Sequence, residues 1–158
     1  MRSNEIERLI GERLTTIGAT LSTAESCSGG LIAHRITNIS GSSNYFSGGV
    51  VSYSNDTKEK LLGVPRELLT AHGAVSGHVA RAMAEGAQRV FSSDYAIGVT
   101  GVAGPTGGAP HKPVGLVHIA VAGPGETLVI RKRFYGNRDM VKDQTADAAL
   151  RLLLEQLG

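Results

Sequence analysis

Hydrophobic positions along the chain alternate between helical and strand-like spacing. Ile6, Leu9, Ile10 and Leu14 recur on one helical face, and Asn4 with Glu7 has the form of an N-cap and its capping-box partner, so a first helix is expected over Asn4 to Thr16. After Gly18 the run Ala19 to Thr23 reads as a strand, and the turn AESCSGG leads into a second helix with Leu31, Ile32 and Ile36 facing a core. Phe46 to Ser54 is valine-rich and alternates, which predicts a strand. Asn55 then serves as the expected cap of a helix carrying Lys58 and Leu61. Pro65 suits the first turn of a short helix to His72.

Ser76 is placed to cap a longer helix in which Val79, Ala80, Met83, Ala87 and Val90 share a face, and Asp94 to Thr100 reads as a buried strand. Val114 to Ala122 and Thr127 to Phe134 flank Gly123, Pro124 and Gly125, a hairpin signal, and a last helix is expected from about Asp139 to Gln156. No repeat or low-complexity tract divides the chain. Alternating strands and helices with one β-hairpin predict a single domain over residues 1–158, a three-layer α/β/α sandwich around a mixed, mostly parallel sheet.

Length agrees with that reading: 158 residues can bury one proper core. Apolar residues make up 41% and no apolar run approaches the roughly 18 needed to span a bilayer. The acidic, helical N-terminus does not resemble a secretory signal, so a cytoplasmic location is expected, with no membrane partner. Cys27 is the only cysteine, which excludes an internal disulfide and any multi-cysteine metal site. A small buried thiol is its expected role, since His34 lies two turns along the helix. A formal charge of +2, scattered basic residues and the absence of tryptophan make a poor nucleic-acid footprint.

Glycine changes the picture. There are 21, and they cluster in loops that follow strands, where an α/β sheet places its ligand crevice. The turn AESCSGG offers the hydroxyls of Ser26 and Ser28 and backbone amides around Gly29, suited to a phosphate or carboxylate. It lacks the GK[ST] of a Walker loop and reads equally as a closely packed strand-to-helix turn. TGVAGPTGG follows a strand, so amides near Thr100 and Gly101 could face a developing oxyanion; a wide turn needing positive φ is the alternative. Arg138, just before the last helix, has the guanidinium fork for a phosphate, or is a solvated arginine.

The segment Gly41 to Lys58 sets Ser43, Tyr53 and Lys58 around one predicted strand, a possible nucleophile, relay and base. A lysine with its ordinary pKa cannot take a proton from serine at neutral pH, so the reading requires Lys58 to be buried. A cap at Asn55 puts Lys58 at the third helical position, where the helix dipole also disfavours an ammonium. An exposed lysine on a short amphipathic helix is the alternative.

TAESCSGG, GSSNYFSGGVVSYSNDTK, GAVS, TGVAGPTGG, KPVG and GNRD, in that order, resemble the CinA C-terminal domain family over essentially the whole chain. The resemblance implies hydrolysis of the carboxamide of nicotinamide mononucleotide to nicotinic acid mononucleotide and ammonia, in pyridine-nucleotide recycling, with no metal and no cofactor. It implies Ser43, Tyr53 and Lys58 as catalytic residues, Thr100 in the glycine loop and Arg138 at the substrate. It further implies a homo-oligomer, a dimer first of all, and a form lacking the extra N-terminal domain of larger members. Two alternatives accompany it: a serine-lysine amidase for another small amide, and a non-catalytic nucleotide-binding or DNA-uptake accessory module.

Overall fold

The computed structural model describes residues 3–158, and its element order follows the predicted alternation. Helix α1 (Glu5–Ile17) leads to β1 (Leu21–Glu25), α2 (Leu31–Thr37), a 3-10 turn (Ser42–Asn44) and β2 (Phe46–Val51). Then come α3 (Asn55–Leu62), α4 (Arg66–His72), α5 (Gly77–Phe91), β3 (Tyr95–Gly101), β4 (Leu116–Ala122), β5 (Thr127–Arg133) and α6 (Arg138–Leu157). The strands form one sheet in the order β2-β1-β3-β4-β5. β1 pairs parallel with β2 and β3, while β3–β4 and β4–β5 are antiparallel, so four strands point one way and β4 alone is reversed. The expected hairpin is β4–β5, closed by Gly123 N–H donating to the Glu126 carbonyl.

Alternation along the strands divides the interior into two cores. Leu21, Ile97, Val99, Val117, Ile119 and Val121 face α1, α2 and α6, which supply Ile10, Leu14, Ile32, Leu150 and Leu153. The opposite faces carry Ala24, Ala96, Ala120 and Ala122 against Val79, Ala80, Met83, Ala84 and Ala87 of α5. Small residues there let helix and sheet approach closely. A Cβ added at Gly98 would stand 2.5 Å from the Ala80 carbonyl oxygen and the Ala84 nitrogen.

Several local expectations are corrected. Asn4 makes no side-chain cap, and its supposed partner Glu7 turns inward to Arg35. Ser54 rather than Asn55 caps α3, accepting from Thr57 N–H, so Lys58 is the fourth helical residue. Pro65 stands just outside α4 as its N-cap. Val90 is 55% exposed because α5 rotates it off the face that meets the sheet. Ser76 does cap α5, accepting from Val79 N–H at 3.2 Å. The basic run Arg131, Lys132, Arg133 ends β5, an edge strand of the sheet.

Candidate active site

The first three strands in the sheet end side by side: β1 at Glu25, β2 at Val51 and β3 at Gly101. The chain leaving β1 is held against β3 by Ser26 N–H donating to the Val99 carbonyl, and that leaving β2 is held against β1 by Ser52 N–H donating to the Glu25 carbonyl. Ser26 and Ser52 are thereby fixed as neighbours.

Lys58 reaches into this corner from the first turn of α3. Helical side chains lean toward the helix N-terminus, which carries its amine back over the end of β2. It is only 1% exposed, and its Nζ lies 2.9 Å from the Ser52 carbonyl oxygen, 3.2 Å from the Tyr53 carbonyl oxygen and 3.1 Å from Ser26 Oγ. No carboxylate pairs with it among the described residues. Burial pulls its pKa below the ordinary lysine value; a Cys27 thiolate would push it back up. Burial, however, raises Cys27 to about 12, so at neutral pH that neighbour is an uncharged thiol. Cys27 is thus the buried cysteine the sequence indicates, 6% exposed.

An ammonium would donate to all three of these acceptors. A neutral amine has two N–H donors and one lone pair, so the two carbonyls can take its hydrogens while the lone pair faces the Ser26 hydroxyl. The second arrangement is the one a lysine base beside a serine would need.

The serine is not the one expected. Ser43 is exposed on the 3-10 turn before β2, whereas Lys58 lies beyond the other end of that strand, roughly 16 Å of extended chain away. The strand that joins them in sequence separates them in space. Tyr53 is also corrected: its backbone carbonyl touches Lys58, while its phenol, on a side chain 60% exposed, accepts a hydrogen bond from Arg138 Nη2 at 2.8 Å.

Among the expected binding residues, Ser28 is fully buried and donates to Glu25 Oε1 at 2.6 Å, so its hydroxyl faces inward and is closed to a substrate. Thr100 is 1% exposed and donates to the Ala74 carbonyl at 2.8 Å; its hydroxyl ties down the loop before α5. Gly101 ends β3 where β4 crowds it, since a Cβ there would lie 2.7 Å from the Leu116 carbonyl oxygen. Gly29 adopts φ +61° beside the α6 side chain of Lys142, whose Nζ would be 3.3 Å from an added Cβ. The Ser28–Gly30 turn, but not the loop after β3, borders a cavity of about 540 Å³ that His34, Asp139 and Lys142 also line. Arg138 is exposed and donates to Tyr53 Oη and, at 2.7 Å, to the Gly104 carbonyl, two neutral acceptors that leave its charge uncompensated.

Two features escaped the sequence reading. Glu25 is 1% exposed and accepts from Ser28 Oγ, Ile32 N–H and Ala33 N–H. The amides of Cys27 and Ser28, next to Ser26, meet no backbone carbonyl among the described residues, but Ser28 is fully buried, so its amide is closed to a ligand as its hydroxyl is. A carboxylate directly before the Ser-Cys-Ser turn was the available signal for the first. Among the described residues no three His, Cys, Asp or Glu side chains are grouped to hold a metal, and no helix is long and apolar enough to cross a membrane.

The fold and this sequence recur in known proteins. The CinA C-terminal domain matches residues 3–157. A CinA-like protein of Geobacter sulfurreducens is 51% identical over 154 residues, covering 98% of this chain, and one from Anaeromyxobacter sp. (strain K) is 49% identical over 150 residues, covering 95%. The chain spans 37% of the length of each of these relatives. Among solved structures, the competence/damage inducible protein CihA of Agrobacterium tumefaciens superposes with a TM-score of 0.93 at 44% identity, over 96% of this chain and 93% of that one. A CinA superfamily protein from Klebsiella pneumoniae gives a TM-score of 0.95 at 32% identity, over 99% and 98%. The α/β chain with Ser26 and Lys58 at its strand ends therefore belongs to the CinA C-terminal domain family.

Proposed function

We propose that the protein is an amidohydrolase that cleaves the carboxamide of nicotinamide mononucleotide, with Ser26 as nucleophile and Lys58 as base. The observation that carries this reading is the contact of a buried lysine, without a carboxylate partner, with a serine hydroxyl at 3.1 Å. Lysine amines of that kind are the known alternative to histidine in serine catalysis. Neutral Lys58 takes the Ser26 proton as Oγ bonds to the carboxamide carbon. The C=O electrons move onto oxygen, giving a tetrahedral oxyanion. As the intermediate collapses, the C–N bond breaks and Lys58 returns its proton to the leaving ammonia. Water, deprotonated by the same amine, then bonds to the acyl carbon, and Lys58 returns that proton to Ser26 Oγ as the C–Oγ bond breaks, which releases the acid and restores both residues.

The nucleotide substrate draws support from Arg138, which donates to the phenol of Tyr53, the residue whose carbonyl meets Lys58, and whose guanidinium suits a 5′-phosphate. Incubation with nicotinamide mononucleotide, with ammonia and nicotinic acid mononucleotide both quantified, tests the assignment. Equal amounts of the two products are expected from the wild type and none from Lys58→Ala. Binding without turnover would instead favour a non-catalytic nucleotide-binding module, and turnover of other small amides alone would favour a different amidase.

A further inference from the structure

The turn carrying Ser26 lacks an ordinary helix cap. The N-cap of α2 is Gly30, in the left-handed region at φ +100°, with no side chain to accept from the free amides of the first turn. Glu25 does this from the end of β1: Oε1 accepts from Ser28 Oγ at 2.6 Å and Ile32 N–H at 3.0 Å, and Oε2 accepts from Ala33 N–H at 3.0 Å. The carboxylate therefore pins both ends of the segment that contains Ser26, Cys27 and Ser28. The backbone of Glu25 holds the other half of the site. Its carbonyl accepts from Ser52 N–H at 2.9 Å, and the Ser52 carbonyl accepts from Lys58 Nζ.

We propose that Glu25 is a positioning residue that aligns Ser26 with Lys58, through the three hydrogen bonds its carboxylate accepts. Only a carboxylate meets the requirement, because three donors converge on two oxygens and each oxygen must accept. Glutamine has one acceptor oxygen, and its NH₂ group would confront a donor in either orientation. Aspartate, one methylene shorter, withdraws both oxygens from the helix. Neither change touches substrate, so loss of alignment should slow the chemical step and leave binding intact.

The inference rests on the Ser26–Lys58 reading, and the experiment separates the two. Wild type and Glu25→Gln are compared at a temperature where circular dichroism shows both folded. Three quantities are measured: ammonia release from nicotinamide mononucleotide, the rate at which a fluorophosphonate labels Ser26 by peptide mass, and amide exchange at Ile32 and Ala33. Expected in the variant are a kcat lower by about 100-fold, a KM within about threefold of wild type, slower labelling, and faster exchange at both amides. A folded variant with unchanged kcat and labelling, or one altered in KM alone, would overturn the proposal. Wild type labelled at Ser26 but inactive on the nucleotide removes that substrate while labelling still decides the role of Glu25. Wild type neither labelled nor active removes the serine-lysine reading and, with it, the alignment role. Should Glu25→Gln fail to fold, Ser28→Ala, which deletes one donor, replaces it; a several-fold lower kcat at constant KM is expected, and an unchanged kcat overturns the proposal.

Discussion

Lys58 Nζ lies 3.1 Å from Ser26 Oγ although the two residues are 32 positions apart, and the contact exists because β1 and β2 run parallel and end together. The lysine is buried and, among the described residues, has no carboxylate to hold its proton, so its chemistry follows from its surroundings.

The first consequence is a pH dependence. Burial lowers the Lys58 pKa below 10.5, and only the neutral amine accepts a proton from serine. The acid limb of kcat/KM should therefore rise through a pKa below 10.5, reaching a plateau above it. Lys58→Arg should reduce kcat by roughly 10²–10⁴-fold across the range, because a guanidinium cannot become a neutral base. Steady-state rates against pH check both.

A second consequence concerns stability. Between the lowered pKa of folded Lys58 and its unfolded value near 10.5, the unfolded chain binds more protons, so the Lys58 contribution makes stability rise with pH there. Below the folded pKa its burial cost is fully present. Urea unfolding of wild type and Lys58→Met at several pH values should show the wild type gaining on the variant as pH climbs toward 10.5.

Away from the site, Arg35 Nε donates to Glu7 Oε1 at 2.6 Å with both side chains nearly inaccessible, joining α2 to α1. Removing Glu7 leaves the buried guanidinium only the longer, 3.4 Å contact to the partly exposed Asp147. Glu7→Ala should lose about 3–5 kcal/mol in urea unfolding, far more than loss of the exposed Lys60–Asp56 pair, whose exposure limits it to about 1 kcal/mol or less.

Among the described residues Arg138 donates to Tyr53 Oη and the Gly104 carbonyl, and the proposed phosphate would be its charged partner. Arg138→Ala should raise KM for nicotinamide mononucleotide by about 10- to 100-fold with a smaller change in kcat. Cleavage of nicotinamide or its riboside, which lack the phosphate, should barely respond. Parallel kinetics on the nucleotide and the riboside make the comparison.

The alternation of strands and helices, the Ser76 cap and the β4–β5 turn were legible because each depends on neighbours in sequence. Lys58 in the first turn of its helix was legible for the same reason. Its serine was not. Ser43 is close in sequence, but six residues of extended strand carry it to the opposite end of the sheet. Ser26 is distant in sequence and becomes a neighbour only through strand pairing. Ser28 and Thr100 misled similarly, since a hydroxyl in a loop sequence does not disclose that it bonds inward to Glu25 or Ala74. Glu7 looked like a capping-box residue until the fold brought Arg35 against it.

The most direct test of the central claim is to compare which serine is required. Ammonia release from nicotinamide mononucleotide is measured for Ser26→Ala and Ser43→Ala beside the wild type. With Ser26 against Lys58 and Ser43 exposed beyond the far end of β2, Ser26→Ala should abolish turnover, and Ser43→Ala should retain more of it than Ser26→Ala does. Full turnover by Ser26→Ala, with its loss in Ser43→Ala, would contradict the account.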